Sequence, residues 1–189
     1  MNHKILVGTT CGLHELSEGK HTQLTGHDVT SLSISKSGWW AIIDGQEVWH
    51  CKSARVWSRI ASLKTLNMTC LLETSSKLFV GTSEATLLTL ECGMLHPVIS
   101  FNQVEGREHW YTPWGGPPDV RSMSADPSGT VYVNVHVGGV VRSTNAGKSW
   151  EPTIDMDSDV HQILLDPGSG MTLAASARGL AISKDNGTS

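Results

Sequence analysis

Residues 119–158, DVRSMSADPSGTVYVNVHVGGVVRSTNAGKSWEPTIDMDS, and residues 159–189, DVHQILLDPGSGMTLAASARGLAISKDNGTS, are two copies of one pattern. Each copy holds three short apolar runs separated by turn residues, which is typical of β-strands. A repeat of about 40 residues predicts an architecture that stacks one supersecondary unit several times. The second copy begins 40 residues after the first, and this spacing relates Asp119 to Asp159, Asp126 to Asp166, Gly139 to Gly179, Ser143 to Ser183, and Gly147 to Gly187.

Each copy ends in a hairpin loop with its own local chemistry. Asn145 in the first copy and Asp185 in the second can accept hydrogen bonds from backbone N–H groups further along the turn. Gly147 and Gly187 supply the positive φ that tight hairpins require. Trp150 begins the next strand, where we expect its ring to lie under the turn and its indole N–H to find a partner. The loop therefore predicts a structural turn, which we favour over the alternative of a catalytic role for Asn145 or Asp185.

The loop resembles the Asp box, or bacterial neuraminidase repeat, whose pattern is Ser-x-Asp-x-Gly-x-Thr-Trp. Sialidases, sortilins and many bacterial β-propellers carry this repeat. In the first copy Asn145 stands in place of Asp and Ser149 in place of Thr, and the Trp is kept. The resemblance implies a structural hairpin on the outer rim of a propeller, away from the binding face. The residues that it assigns to this hairpin are Ser143, Asn145, Gly147, Trp150, Ser183, Asp185 and Gly187.

The rest of the chain continues the repeat and predicts an all-β fold. We expect a single β-propeller domain over residues 1–189, with four-stranded antiparallel blades, about four to five of them. Because closed rings need roughly four to eight blades of about 40 residues, we expect an incomplete propeller whose exposed ends favour self-association. The predicted blades are a partial first blade over 1–27, blades over 28–66, 67–118 and 119–158, and a partial fifth over 159–189, with an inserted loop at 104–118.

Composition argues against several classes of partner. The formal net charge is −4 and no stripe of Lys and Arg is present, which argues against a nucleic-acid partner. No apolar run reaches the roughly 18 residues of a membrane span, so we expect no membrane partner. The four cysteines lack paired spacing, which predicts reduced thiols in a cytoplasmic protein and no metal site. No phosphate-binding glycine loop occurs, so we expect no cofactor.

Two polar positions of each blade are predicted to lie at the mouth of the central channel. The start of the inner strand holds Thr30, Thr69, Arg121 and His161, and the end of the second strand holds Asp44, Thr82, His136 and Arg178. Arginine binds carboxylates bidentately, and aromatic faces stack on sugar rings or cations. With the inserted loop, the predicted ligand-binding residues are Arg107, His109, Trp110, Tyr111, Trp114, Arg121, His136, His161 and Arg178.

These residues favour a binding or assembly module that presents its channel mouth to an unknown small molecule, glycan or protein. The alternative is a carbohydrate-active hydrolase of the sialidase type at the same face. For such an enzyme the resemblance implies an arginine triad, a Tyr nucleophile paired with a Glu, and an Asp acid/base. Ala61 follows Arg59-Ile60 where the family has Pro, and Tyr111 and Tyr132 lie in no catalytic motif. A solvated channel mouth without a ligand is the third interpretation.

Overall fold

The computed structural model describes residues 5–16, 21–53, 55–154, 159–166, 168–185 and 187–188. Within these residues the chain forms five antiparallel sheets, three of four strands and two of three, and the strands follow chain order in each sheet. No helix of the described part is long and apolar enough to cross a membrane. The prediction of an all-β chain is confirmed. The predicted blade boundary at residue 158 lies outside the described residues.

The sheets are named one to five in chain order. Sheet one contains β1 (Ile5–Thr9), β2 (Gly12–Leu16) and β3 (His21–Gln23). Sheet two contains β4 (Val29–Ser35), β5 (Gly38–Ile43), β6 (Glu47–Cys51) and β7 (Ser58–Ser62). Sheet three contains β8 (Met68–Glu73), β9 (Leu78–Thr82), β10 (Leu87–Glu91) and β11 (Met94–Pro97). Sheet four contains β12 (Val120–Ala125), β13 (Val131–Val135), β14 (Gly139–Ser143) and β15 (Glu151–Ile154). Sheet five contains β16 (Val160–Asp166), β17 (Met171–Ser176) and β18 (Gly179–Ser183).

Consecutive sheets pack through their inner strands. Strand β4 contacts β8, β8 contacts β12, and β12 contacts β16, while β1 contacts β4. Close approach at these contacts requires glycine. A Cβ atom on Gly81 would lie 2.6 Å from a methyl carbon of Val120, and one on Gly8 would lie 2.6 Å from the carbonyl oxygen of Val29. Gly8 in β1 therefore holds the place against sheet two that Gly81 in β9 holds against sheet four, so β1 corresponds to the second strand of a complete sheet.

The core lies between the sheets, because each sheet packs apolar side chains against its neighbours. The gap between sheets two and three is filled by Trp40, Ile42, Val48, Met68, Leu71 and Val80. The gap between sheets three and four is filled by Phe79, Phe101, Trp110, Val120, Val133 and Trp150. The gap between sheets four and five is filled by Tyr132, Val140, Val160, Ile163, Leu165 and Ala174.

The hairpin that follows β14 forms the turn that its sequence predicts. The Asn145 Oδ1 atom accepts hydrogen bonds from the backbone N–H groups of Lys148 and Ser149, at 3.1 and 2.9 Å. Gly147 has φ +81°. The ring of Trp150 is buried beneath the turn, but no described residue accepts a hydrogen bond from its indole N–H, so the expected partner is not found.

The inserted loop between β11 and β12 begins in the core and ends in solvent. It contains two short 3₁₀ turns, Ile99–Gln103 and Arg107–His109. Phe101, Val104 and Trp110 are buried and fix the first part of the loop to the sheets. The second part closes on itself, because the hydroxyl of Thr112 donates to the carbonyl oxygens of Gly115 and Gly116, at 2.9 and 3.1 Å.

Candidate functional site

A β-bulge near the start of each of four inner strands sets the direction of the predicted channel-mouth side chains. In β4, β8, β12 and β16 the pairing register shifts across one residue near the start of the strand. A bulge leaves an extra residue outside the ladder and changes the direction of its side chain, and bulges are common beside functional sites. The bulged residues are Thr30, Thr69, Arg121 and His161.

The four bulged residues differ in what they bind. The hydroxyl of Thr30 donates to the carbonyl of Ile42 at 3.3 Å, and the hydroxyl of Thr69 donates to the carbonyl of Val120. Arg121 and His161 instead interact with each other, since Nη1 of Arg121 lies 3.3 Å from Nδ1 of His161 and both side chains are exposed. Sheets four and five therefore present a basic pair where the threonines of sheets two and three bond to backbone carbonyls.

His136 and Asp159 lie beside this pair. Nε2 of His136 lies 2.9 Å from Oδ1 of Asp159, and Nδ1 of His161 lies 3.9 Å from the same oxygen. The His136 side chain is buried, whereas those of Asp159 and His161 are partly exposed. The Nε2–Oδ1 approach does not have hydrogen-bond geometry, so Oδ1, although buried, has no hydrogen-bond donor among the described residues.

Burial and charge act on His136 in the same direction. Burial lowers the pKa of its imidazole below the ordinary value, the guanidinium of Arg121 lowers the pKa further, and the carboxylate of Asp159 offsets only part of this shift. Because His136 is an imidazole with a depressed pKa, it is neutral at neutral pH. The fixed positive charge of the site therefore belongs to Arg121.

The inserted loop carries two exposed aromatic rings, one of which lies beside these groups. Tyr111 and Trp114 are 60% and 70% exposed, far more than the other aromatic rings of the loop region. The ring of Trp114 lies 5.4 Å from that of His136 at an interplanar angle of 35°, and the rings of His136 and His161 are 6.1 Å apart. The structure thus brings together four of the predicted residues, with Tyr111 in the same loop. We call the set Tyr111, Trp114, Arg121, His136 and His161 the basic–aromatic patch.

Two predicted residues lie beneath the loop rather than on its surface. Trp110 is buried, its ring lies 5.7 Å from that of Phe101, and its Cδ1 atom would lie 3.2 Å from a Cβ atom on Gly138. The guanidinium of Arg107 lies 4.9 Å from the ring of Trp110 and 5.6 Å from that of Phe101, and burial lowers its pKa. These two residues hold the loop in place and do not line the patch.

Two further predicted residues have no contact with the patch among the described residues. His109 is exposed and lies 3.7 Å from Glu108. Arg178 is exposed in the turn after β17, where its backbone N–H donates to the hydroxyl of Ser176 at 3.2 Å. Both side chains therefore point to solvent outside the cluster formed by Trp114 and His136.

The register of the second strands differs by one residue from the sequence prediction in two sheets. The backbone N–H of His136 donates to the carbonyl of Asp119, and the N–H of Ala177 donates to that of Asp159, at 2.9 and 3.0 Å. The equivalent donors in sheets two and three are Asp44 and Ser83. The residues that correspond to His136 are therefore Ala177 and Ser83. The sequence predicts Arg178 and Thr82 at this position, because the turns after the second strands differ in length.

Sequence reasoning did not include Asp159 in the site, although a signal for it exists. An acid or amide precedes each of the bulged strands, at Asp28, Asn67, Asp119 and Asp159. The backbone carbonyl at each of these positions accepts the hydrogen bond that ends the second strand. The repeat thus marks this position as the start of each first strand and does not reveal the additional contact that the Asp159 carboxylate makes.

The groups that a sialidase-type site requires do not converge. Arg142 binds Glu151 at 2.5 and 3.0 Å, and Arg107 lies against aromatic rings under the loop. Tyr132 is completely buried between sheets four and five, so its phenol cannot reach a substrate at the channel mouth. In the part of the chain that the structure describes, Arg107 and Arg142 therefore do not join Arg121.

The patch borders a groove along the inner strands. A cavity of about 330 Å³ is lined by residues of β4, β8 and β12, including Ser31, Ser33, Thr69 and Arg121, and by Gln162 of β16. The hydroxyl and amide groups among these side chains can both donate and accept hydrogen bonds. The groove is therefore a polar continuation of the patch.

Comparisons with known proteins assign the fold. No family model matches the chain and no curated protein matches it. A solved structure described as Ycf48 bound to D1 peptide is 14% identical, covers the whole of this chain over 64% of its own length, and superposes with a TM-score of 0.63. The extracellular domain of the putative hybrid two-component system BT4673 from B. thetaiotaomicron is 14% identical, with a TM-score of 0.72, and covers 97% of this chain and 25% of its own.

A third solved structure names the architecture directly. The β-propeller domain of Cps50 (Swd1) from Myceliophteria thermophila is 10% identical, covers 96% of this chain and 66% of its own, and has a TM-score of 0.63. The chain spans between a quarter and two thirds of the lengths of these proteins. Because the identities are low, the likeness shows the fold alone. The chain has the fold of a β-propeller, of which its five sheets are blades.

Proposed function

We propose that this propeller is a binding module that recognises a carboxylate-bearing peptide or protein segment through the basic–aromatic patch. The observation that carries the proposal is the position of Trp114, an exposed ring 5.4 Å from that of His136, whose ring lies 6.1 Å from that of His161, the partner of Arg121. Exposed aromatic rings and arginine are the side chains most enriched in the energetic centres of protein interfaces.

The two parts of the patch suit two parts of one ligand. The guanidinium of Arg121 carries a fixed charge and can bind a carboxylate through two parallel N–H donors. The rings of Tyr111 and Trp114 supply flat apolar area for the side chains on either side of that carboxylate. The loop that carries the rings is held by the buried Trp110, so little conformational entropy is lost when a ligand binds.

The class of partner is supported by one of the similar structures. Ycf48, whose fold this chain shares, is described as bound to a peptide. A peptide or protein ligand is therefore our first choice among the three classes that the sequence left open. We further propose that the hairpins at 143–150 and 183–188 are Asp boxes with a structural role, as their local hydrogen bonds support.

The proposal is tested with a short acidic peptide labelled with fluorescein and a matched peptide in which amides replace all carboxylates. We expect the acidic peptide to bind at least about tenfold more tightly in fluorescence anisotropy, because hydrogen bonds between charged groups are the stronger kind. Arg121→Ala and Trp114→Ala should each weaken binding about tenfold. Quenching of tryptophan fluorescence should accompany binding to the unmodified protein and be reduced in Trp114→Ala.

Arg178→Ala is the matched control, since it removes an exposed arginine of sheet five that has no contact with the patch among the described residues. It should leave the affinity for the acidic peptide unchanged. Equal affinity of Arg121→Ala and the unmodified protein, with the fold intact by circular dichroism, would overturn the proposal. Hydrolysis of fluorogenic sialosides that Arg121→Ala abolishes would replace it with the hydrolase alternative.

We also propose self-association and a cytoplasmic location, both of which stay predictions. Large apolar side chains are exposed on β1, β16 and β18, at Ile5, Val7, Leu164, Leu180 and Ile182. Exposed apolar area next to unpaired strand edges favours association. Light scattering should show a mass that rises with protein concentration, and a constant monomeric mass would exclude the association.

A further inference from the structure

Three potential metal ligands converge within the patch. One nitrogen of His136, one carboxylate oxygen of Asp159 and one nitrogen of His161 all lie within 4.8 Å of one another. The measured separations are 2.9 Å from His136 Nε2 to Asp159 Oδ1 and 3.9 Å from His161 Nδ1 to the same oxygen. Tetrahedral zinc, with ligand bonds of about 2.0–2.2 Å, requires ligand atoms roughly 3.3–3.5 Å apart. These two distances lie on either side of that value, and the two histidine nitrogens lie within 4.8 Å of each other.

Two of these atoms have properties that suit a metal ligand. Oδ1 of Asp159 is buried and lacks a hydrogen-bond donor among the described residues, which is costly for a carboxylate oxygen. Nη1 of Arg121 lies 3.3 Å from Nδ1 of His161. Because a guanidinium can only donate, Nδ1 of His161 is unprotonated and accepts that hydrogen bond, so the guanidinium must move aside before this lone pair can bind a metal. A buried carboxylate oxygen without a hydrogen-bond donor and an unprotonated imidazole nitrogen are both suited to a cation.

The ligands come from firm parts of the fold. His136 begins the turn after β13, and its backbone N–H is bonded to the carbonyl of Asp119. Asp159 and His161 flank Val160, which is completely buried in the core between sheets four and five. Sites held by strands keep their geometry better than sites on long loops. The bulge at His161 is the feature that turns its side chain toward Asp159.

We propose that His136, Asp159 and His161 bind a single Zn²⁺ ion. Two imidazoles and one carboxylate are ligands that zinc prefers, and three protein ligands leave a fourth position for water or a ligand. The guanidinium of Arg121 lies beside these ligands, 3.3 Å from Nδ1 of His161. The open position is therefore suited to an anionic oxygen that also accepts a hydrogen bond from Arg121.

This position identifies the carboxylate of the bound peptide as the fourth zinc ligand, a step that rests on the proposed function. A carboxylate there would bind the metal through one oxygen and Arg121 through the other. The metal would thus add to the affinity for the acidic peptide and have no effect on the amide peptide. Zinc binding itself does not depend on the peptide proposal.

A second histidine–aspartate pair in the chain provides the matched control. Nδ1 of His27 lies 2.9 Å from Oδ2 of Asp44, the same separation as in the His136–Asp159 pair, and both side chains are exposed. In the described part of the chain, this pair has no third histidine, cysteine or carboxylate in ligand range. It therefore represents a histidine–aspartate pair that lacks the third metal ligand supplied by His161.

The experiment measures zinc binding by the tag-free protein after treatment with a chelator and dialysis. Titration with ZnCl₂ in a calorimeter should show one site, and Co²⁺ should give the visible absorption of a tetrahedral ion. His161→Ala and Asp159→Asn should each weaken zinc binding by more than the roughly 10–100-fold that follows loss of a mere supporting partner. His27→Ala should bind zinc as the unmodified protein does.

The outcomes separate the two proposals. Absence of heat and of a cobalt spectrum, with the acidic peptide still bound, would overturn the zinc site and leave the proposed function in place. Zinc binding that survives in both His161→Ala and Asp159→Asn would also overturn the site. If zinc binds but the peptide affinity is the same in ZnCl₂ and in EDTA, only the assignment of the peptide carboxylate as the fourth zinc ligand is overturned. Since His161 is exposed, its variant should fold, and circular dichroism checks this for both.

Discussion

Equivalent hairpins close the gap between sheets three and four and the gap between sheets four and five. The apolar packing beneath the two hairpins differs. In the first gap the ring of Trp150 meets Phe101 and Phe79 edge-on, at 5.3 and 6.1 Å between ring centroids. In the second gap no described residue takes the corresponding place. A cavity of about 90 Å³ remains there, lined by apolar side chains that include Val140, Ile154, Ile163, Ala174 and Ile182.

The hydrogen bonds of the two hairpins are nevertheless alike. The backbone N–H of Gly147 donates to the hydroxyl of Ser143 at 2.8 Å, and that of Gly187 donates to the hydroxyl of Ser183 at 2.7 Å. Asp185 accepts from the backbone N–H of Thr188 at 3.1 Å. The comparison therefore separates turn chemistry, which is local and present in both hairpins, from apolar packing, which is present in one.

The largest difference in the free energy of unfolding should come from removing the ring of Trp150. Trp150→Ala should lower the free energy of unfolding by about 3–5 kcal/mol, because it removes a buried ring from between two other rings and leaves a cavity. Urea denaturation followed by circular dichroism measures this change. Trp114→Ala, which removes a 70% exposed ring, should change the free energy of unfolding by less than about 0.5 kcal/mol. Similar losses in the two variants would show that Trp150 does not hold sheets three and four together.

The stability costs of replacing the glycines of the two turns should differ less. Both have positive φ, +81° at Gly147 and +76° at Gly187, so alanine costs about 1–2 kcal/mol at either position. A Cβ atom on Gly147 would also lie 3.0 Å from the ring of Phe79, whereas one on Gly187 would lie 3.4 Å from the ring of Tyr132. Overpacking should add about 1 kcal/mol or more for Gly147→Ala alone. Equal denaturation midpoints for the two variants would place the whole cost in the backbone conformation.

The parts of the fold that the sequence predicts are those with local causes. The turn at Asn145 follows from residue type and spacing, and the alignment of Arg121 with His161 follows from the 40-residue repeat. The contacts of Arg107 and Trp110 could not be predicted, because the inserted loop has no repeat and its aromatic residues look alike in sequence. The sequence predicts Arg178 at the position that Ala177 occupies, since the turns between second and third strands vary in length. The approach of Asp159 to His136 joins two sheets, and no pattern within either sheet indicates it.

A smaller effect should come from the serines that hold the two turns. Ser143 is buried, so Ser143→Ala leaves the N–H of Gly147 without a partner and without access to water. This change should lower the free energy of unfolding by about 1–3 kcal/mol. Ser183 is only partly buried, and water can replace its hydroxyl, so Ser183→Ala should cost about 0.5 kcal/mol. If the loss for Ser183→Ala were as large, the N–H of Gly187 would be as inaccessible to water as that of Gly147.

The smallest effect concerns the aspartates that begin the turn between first and second strands in sheets four and five. Burial raises the pKa of Asp126, but hydrogen bonds from Ser128 and Thr130 outweigh it and hold the pKa below its ordinary value. The hydroxyl of Ser169 lowers the pKa of Asp166 in the same way. A carboxyl group with a depressed folded pKa stabilises the protein above its unfolded pKa of about 3.9, and this stabilisation is lost as the pH falls through the folded pKa.

Asn in place of Asp126 keeps an acceptor oxygen and removes the titration. Asp126→Asn should therefore reduce the loss of unfolding free energy that accompanies acidification from pH 6 to pH 3, measured by urea denaturation at each pH. Asp166→Asn should reduce it less, because Asp166 accepts its hydrogen bonds on the exposed side of the turn, where water screens them. An unchanged slope in Asp126→Asn would mean that its carboxylate is equally stabilised in the unfolded chain. A larger change in Asp166→Asn than in Asp126→Asn would show that water does not weaken the hydrogen bonds of Asp166 more than those of Asp126.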